Sequence, residues 1–339
     1  MKFSPERKAA VTQYILSKIE ENKPGISHST AEAFGIGTST VHSYLNELIR
    51  NGIIRKISRD NYSLVTQTYS FEFSRSKGEL SSEDAVFDKT LAPKIQALPK
   101  NVQKIWMYSF SEMVNNTIDH SEAEHLWITI NQNYISTHVF IADDGVGVFR
   151  KIKDYFAYAS LDDAIIELAK GKLTTDKTHH SGEGIFFTSR IMDEFLLYSD
   201  KKVFTFNKYR EGMLNEIENE ISFGTLVSLS LSNSSKKQIT DVFNEFSDVD
   251  NGFTKTRLSL KNIFESSPVS RSQAKRIVNR LEQFKEIEFD FDGIDFMGQG
   301  FAHEIFFVFA NAHPEIKLIP LNMDENVKKM YMHVTSSRD

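Results

Sequence analysis

The chain has 339 residues, 40% of them apolar and 25% charged, with a formal net charge of −6 and no cysteine. Length points to two or three domains, and the missing cysteine excludes disulfides, thiolate zinc sites and cysteine nucleophiles. No run approaches the ~18 apolar residues of a membrane span, and the opening MKFSPERKAAVTQYI shows no apolar leader, so the cytoplasm is the expected location.

The first 65 residues hold nine Lys and Arg against six Asp and Glu, a local +3 that leaves −9 for the remainder. Val11, Tyr14, Ile15 and Ile19 mark one face of a helix over Arg7–Glu21. Ser29–Phe34 is a second, short helix, and Gly35-Ile36-Gly37 a tight turn. Thr38–Asn51 is a third helix with Val41, Tyr44, Leu45 and Leu48 inward, stopped at Asn51-Gly52. Ile53–Ile57 and Tyr62–Val65 read as two strands of a small hairpin. This order resembles a winged helix-turn-helix domain, which implies that the third helix enters the major groove of DNA. Its outward Ser39, Thr40, His42, Ser43 and Asn46 would face bases, and Arg50, Arg55, Lys56 and Arg59 phosphates. The same fold also serves as a protein-binding or dimerisation module. Within residues 66–99, read as a linker or arm, Tyr69–Phe73 alternates as a strand and Arg75–Asp88 is a polar run with few apolar anchors; the arm could also swap between subunits or form part of the following domain.

Asn101–His120 is a long amphipathic helix carrying Glu112 and Asn116 at i and i+4, on one face, with Asp119 a turn further on. Two strands follow, Leu126–Ile130 and Thr137–Ala142, and the second runs into Asp143-Asp144-Gly145-Val146-Gly147. Glycines so placed let backbone approach a ligand closely. After a helix over Leu161–Lys170 comes a polar stretch with Lys172, Thr174, Thr175, Lys177, His179 and His180. Gly182-Glu183-Gly184 then opens an apolar helix, whose N–H groups suit an anion. Gly224-Thr225 leads a final β-rich run.

These four elements, in this order over residues 100–235, resemble the GHKL ATPases, which include the histidine kinase catalytic domain, gyrase B, a heat-shock chaperone, MutL and the anti-sigma-factor kinases. Glu112-x-x-x-Asn116 matches the N box, Asp143-x-Gly145-x-Gly147 the G1 box, Gly182-x-Gly184 the G2 box and Gly224-Thr225 the G3 position. The resemblance implies a two-layer α/β sandwich with a mixed sheet and an ATP pocket under a lid. It implies Mg²⁺ on Asn116, with Asp119 beside it in the cofactor set. Asp143 would bind the adenine amino group, supported by Thr225, and Gly145 and Gly147 would admit base and ribose. Gly182 and Gly184 would meet the phosphates, with Lys172, Thr174 and Thr175 in the lid. Glu112 would be the general base for hydrolysis. A phosphoacceptor His domain like that of histidine kinases has no counterpart here, and no transition metal is expected.

Residues 236–256 read as a connector. From residue 257 a βαβαβα order implies a small α/β domain. It resembles the STAS-like domains of anti-sigma-factor antagonists, with Phe289–Phe296 as the central strand and turn. Where that family places a phosphorylated Ser this chain has Gly300, and Gly293–Ala302 holds no hydroxyl. A structural cap or dimerisation domain is the alternative, and a homodimer is left open. The whole is thus expected to be a multidomain α/β protein: an ATP-binding, ATP-hydrolysing, DNA-binding regulator of transcription. A protein serine/threonine kinase acting in trans and a non-hydrolysing ATP sensor are the other two readings.

Overall fold

The computed structural model describes residues 4–173, 182–205, 223–248, 252–264 and 267–336. The chain is mixed α/β, with three hydrophobic clusters.

The N-terminal cluster is built by α1 (Pro5–Glu20), α2 (Ile26–Phe34) and α3 (Thr38–Arg50) with the antiparallel hairpin β1 (Ile54–Ser58) and β2 (Asn61–Leu64). Ser4 caps α1 by accepting from the Arg7 amide, and Pro5 opens it, where a missing N–H costs nothing. Val41, Tyr44, Leu45 and Leu48 are the buried stripe of α3, as their spacing predicts. Asp60, at the hairpin tip, accepts hydrogen bonds from the Ser27 amide and hydroxyl, which ties the hairpin to α2.

The middle of the chain forms a six-stranded sheet in the order β3 (Gln67–Ser74), β4 (His125–Gln132), β5 (Ser136–Asp143), β8 (Thr225–Ser232), β6 (Glu194–Ser199), β7 (Lys202–Thr205). Two expectations are corrected here. Residues 66–99 are no linker: the strand read at Tyr69–Phe73 is the edge strand β3, paired residue for residue with β4, and the polar stretch after it holds α4 (Glu83–Lys89) and α5 (Ala92–Ile95). The polar appearance of that stretch misled because short helices bury only single residues such as Val86, Leu91 and Ile95. The sheet is also antiparallel at every described pairing rather than mixed. β5 and β6 do run the same way, but β8 lies between them and opposes both.

The long helix α6 (Lys100–His120) crosses this sheet with Trp106 and Phe110 fully buried. Burial of such a side chain stabilises by about 1.5–3 kcal/mol. α7 (Val148–Tyr155), α8 (Leu161–Lys170) and α9 (Gly184–Ile191) connect β5 to β6. Ser160 and Asp163 make a reciprocal capping box that starts α8.

The expected connector contains α10 (Ile239–Phe246) and the short pair β9 (Ser247–Asp248) and β10 (Gly252–Phe253). Three parallel strands follow in the order β11 (Lys255–Ser259), β12 (Glu286–Asp290), β13 (Lys317–Leu321). Their helices are α11 (Leu260–Ile263), α12 (Arg271–Val278), α13 (Gln299–His303), which runs on with π-type pitch over Glu304–Phe309, and α14 (Glu325–Thr335). The alternating burial of Ile287 and Phe289 on β12 and the Ser270–Gln273 capping box of α12 are what sequence spacing requires. No helix of the described residues is long and apolar enough to cross a membrane.

Candidate functional site

A cavity of about 290 Å³ opens between α6, the start of α7, α8, the start of α9 and the strands β6 and β8. Seven of the residues singled out by sequence line it: Glu112, Asn116, Asp143, Gly147, Gly182, Gly184 and Thr225. They are drawn from positions more than a hundred residues apart. The apolar lining includes Val146, Ile152, Leu173, Ile185, Phe186 and Val227.

Asp143 ends β5 and is 3% exposed. Its Oδ1 accepts from the Gly145 amide at 2.9 Å and its Oδ2 from the Thr117 hydroxyl at 3.3 Å, while its backbone carbonyl accepts from the Gly224 amide at 2.7 Å. Burial dominates these bonds and pushes the carboxyl up to about 6. Folding therefore favours the protonated form. Stability from this group is fully present below about pH 4 and is lost as pH rises through about 6, on the order of 3 kcal/mol in all. Denaturant unfolding from pH 4 to pH 7 is expected to show that fall in wild type and to lose it in Asp143→Asn.

The glycines bring backbone against backbone. A Cβ on Gly145 would strike the Ser121 carbonyl, and one on Gly224 the Gly145 carbonyl, so these two build the floor beneath Asp143 rather than the lining. Gly182 has φ +72° and presses on the Leu173 backbone. A Cβ on Gly184 would overlap the Glu112 carboxylate, so the Glu112 side chain packs directly against the first turn of α9, and both line the cavity. The Thr225 hydroxyl accepts from the Val148 amide at 3.1 Å and so holds the start of α7.

Other expected positions fall elsewhere. Asp119 is exposed and outside the lining. Lys172 does not line the cavity; its ammonium donates to the Gln283 carbonyl at 3.1 Å and lies over the Phe253 and Phe284 rings. Burial lowers its pKa. Thr174, Thr175, Lys177, His179 and His180 lie outside the described residues.

Sequence reasoning missed Thr117, Tyr108 and Lys151. Thr117 directly follows Asn116 on the buried side of α6, and that side is the signal that marks it. Tyr108 precedes Glu112 by one turn, and burial, with the charges of Glu112 and Glu183, raises its phenol pKa strongly. Lys151 lines the cavity and donates to the His120 carbonyl. Among the described residues no group of three or more His, Asp or Glu is placed to hold a metal. Asn116 and Glu112 offer oxygen ligands only, a donor set suited to a hard cation that takes its other ligands from phosphate and water.

On the N-terminal domain, Ser39, His42, Ser43 and Asn46 of α3 are exposed and Thr40 half-buried. Arg50, Arg55, Lys56 and Arg59 are exposed too, the Arg55 guanidinium donating to Ser63 Oγ at 3.0 Å.

Residues 273–328 match the family described as "STAS-like domain of unknown function (DUF4325)", in agreement with the C-terminal expectation. The match runs from α12 into α14 and includes β12 and β13. No curated protein matches the chain.

Proposed function

We propose that this protein is a Mg²⁺-dependent ATP-binding and ATP-hydrolysing regulator of the GHKL class that binds DNA through its winged helix. The supporting observation is that the residues of four separate sequence motifs line or floor one cavity. Its chemistry suits ATP. A buried acceptor, Asp143, can take the adenine amino group, with apolar walls around the ring. The N–H groups at the start of α9 suit phosphate. Asn116 would hold Mg²⁺, which when bound neutralises phosphate charge. The Glu112 carboxylate, facing Gly184, would accept the proton of the attacking water. ATP can bias the winged helix only if it binds two arrangements of the chain with different affinity.

The DNA part has its own test. Converting Arg55 and Lys56 together to Ala is expected to weaken DNA binding across all sequences and to reduce the slope of log affinity against log salt by about 2. Filter retention of duplex DNA across a salt series measures it. Retention that persists unchanged after removal of residues 1–65 contradicts the assignment.

A further inference from the structure

The C-terminal domain is fastened to both flanks of the Gly182-x-Gly184 loop. On the leading flank, Lys170 is 0% exposed, and its ammonium reaches Glu167 Oε1 at 2.6 Å, the Arg276 carbonyl at 3.2 Å and the Asn279 carbonyl at 2.6 Å. All three of its protons are thereby matched. Two of those acceptors lie at the C-terminal end of α12, within the STAS-like match. The Thr256 hydroxyl donates to the Lys170 carbonyl at 2.8 Å. Gly171 (φ +82°) admits no side chain, because a Cβ would lie 2.7 Å from Phe253 and 2.8 Å from Phe186. Lys172 follows, held on the Gln283 carbonyl.

On the trailing flank, Phe186 and Phe187 of α9 belong to the C-terminal hydrophobic cluster. The Phe186 ring stands 4.5 Å from Phe253 and 5.1 Å from Phe246, and Phe187 stacks on Phe243 at 4.1 Å. Phe186 also lines the cavity, as do Leu173, Gly182, Gly184 and Ile185 between the two anchors. One side chain therefore packs on the cavity and on the C-terminal core at once. Close-packed cores transmit displacement rather than absorb it.

We propose that the STAS-like domain regulates the ATP site, its docking on α8 and α9 and nucleotide occupancy reinforcing each other through Lys172, Phe186 and the α8–α12 contact. This rests on the ATP reading above. By linkage the effect is reciprocal: whatever loosens the STAS-like domain weakens ATP binding by the same factor that ATP tightens the domain.

The test uses the full chain. Affinity for ATP with Mg²⁺ is measured for wild type, Lys172→Met, Lys172→Arg and Arg276→Met. Arg276 ion-pairs with Asp163 at the far end of α8, outside the cavity. Hydrogen exchange of wild type is followed in parallel with and without ATP–Mg²⁺. Coupling predicts at least about fivefold weaker binding in Lys172→Met, recovery in Lys172→Arg and several-fold weaker binding in Arg276→Met. It also predicts slower exchange over residues 255–283 when ATP is present. The proposal is overturned if wild type binds ATP while that exchange stays unchanged and Arg276→Met binds like wild type, even if Lys172→Met alone is impaired. Wild type that fails to bind ATP overturns the ATP reading itself, and the coupling with it.

Discussion

Replacement of Glu112 by Ala is expected to slow phosphate release from ATP by about 10²–10⁴-fold, the usual contribution of a positioned general base, while ATP affinity stays within a few-fold. The reason is local. The Glu112 carboxylate sits against Gly184 at the start of α9, where the phosphates would lie, and not against the apolar walls that would hold the base. Steady-state phosphate release and equilibrium ATP binding, measured on the same preparation, separate the two effects. Loss of release with retained binding excludes a protein that only senses ATP. Unchanged release excludes Glu112 as the base. Label from γ-labelled ATP that appears on a protein partner instead of as free phosphate supports transfer over hydrolysis, with the nucleotide site unchanged.

The second large effect is expected from Asp143→Asn, which nearly preserves shape. The wild-type carboxylate accepts from the Gly145 amide and the Thr117 hydroxyl and keeps lone pairs for one further donor. The amide must turn an NH₂ either toward those protein donors or toward the amino group of adenine. A buried polar group left unsatisfied costs about 1–3 kcal/mol, or roughly 5- to 150-fold in affinity. Specificity is expected to move too. Guanine presents a carbonyl oxygen where adenine presents its amino group, and a carboxylate repels it, so wild type should prefer ATP to GTP and the variant should lose most of that preference. Competition of ATP and GTP for the site in both proteins measures this. A variant that keeps wild-type affinity and preference would place the base elsewhere.

The elements were largely legible because each follows from local rules. The periodicity of α3 and α6 and the alternation of β12 lie within a few residues of where spacing puts them. The convergence of Glu112, Asn116, Asp143, Gly147, Gly182, Gly184 and Thr225 was legible only through family resemblance, since nothing local in a sequence says that α6 and β8 share a cavity. The alternation of Tyr69–Phe73 marked β3, but not its place at the sheet edge beside β4, and α4 and α5 were hidden because each buries so few residues that the stretch reads as a linker. Lys172 was placed in the lid over the phosphates because the resemblance puts it there and nothing local shows its actual partners. Its carbonyl acceptor and two aromatic rings come from residues 253–284, far along the chain. Thr117 was hidden for the same reason: its hydroxyl gains meaning only beside Asp143.

The claim on which the rest depends is that the cavity takes ATP with Mg²⁺. Titration calorimetry of the full chain with ATP in the presence of Mg²⁺ tests it most directly. One ATP per chain is expected, with binding weakened by Asp143→Asn but within a few-fold of wild type in Glu112→Ala. No heat of binding at millimolar ATP, or equal binding by wild type and Asp143→Asn, would contradict it.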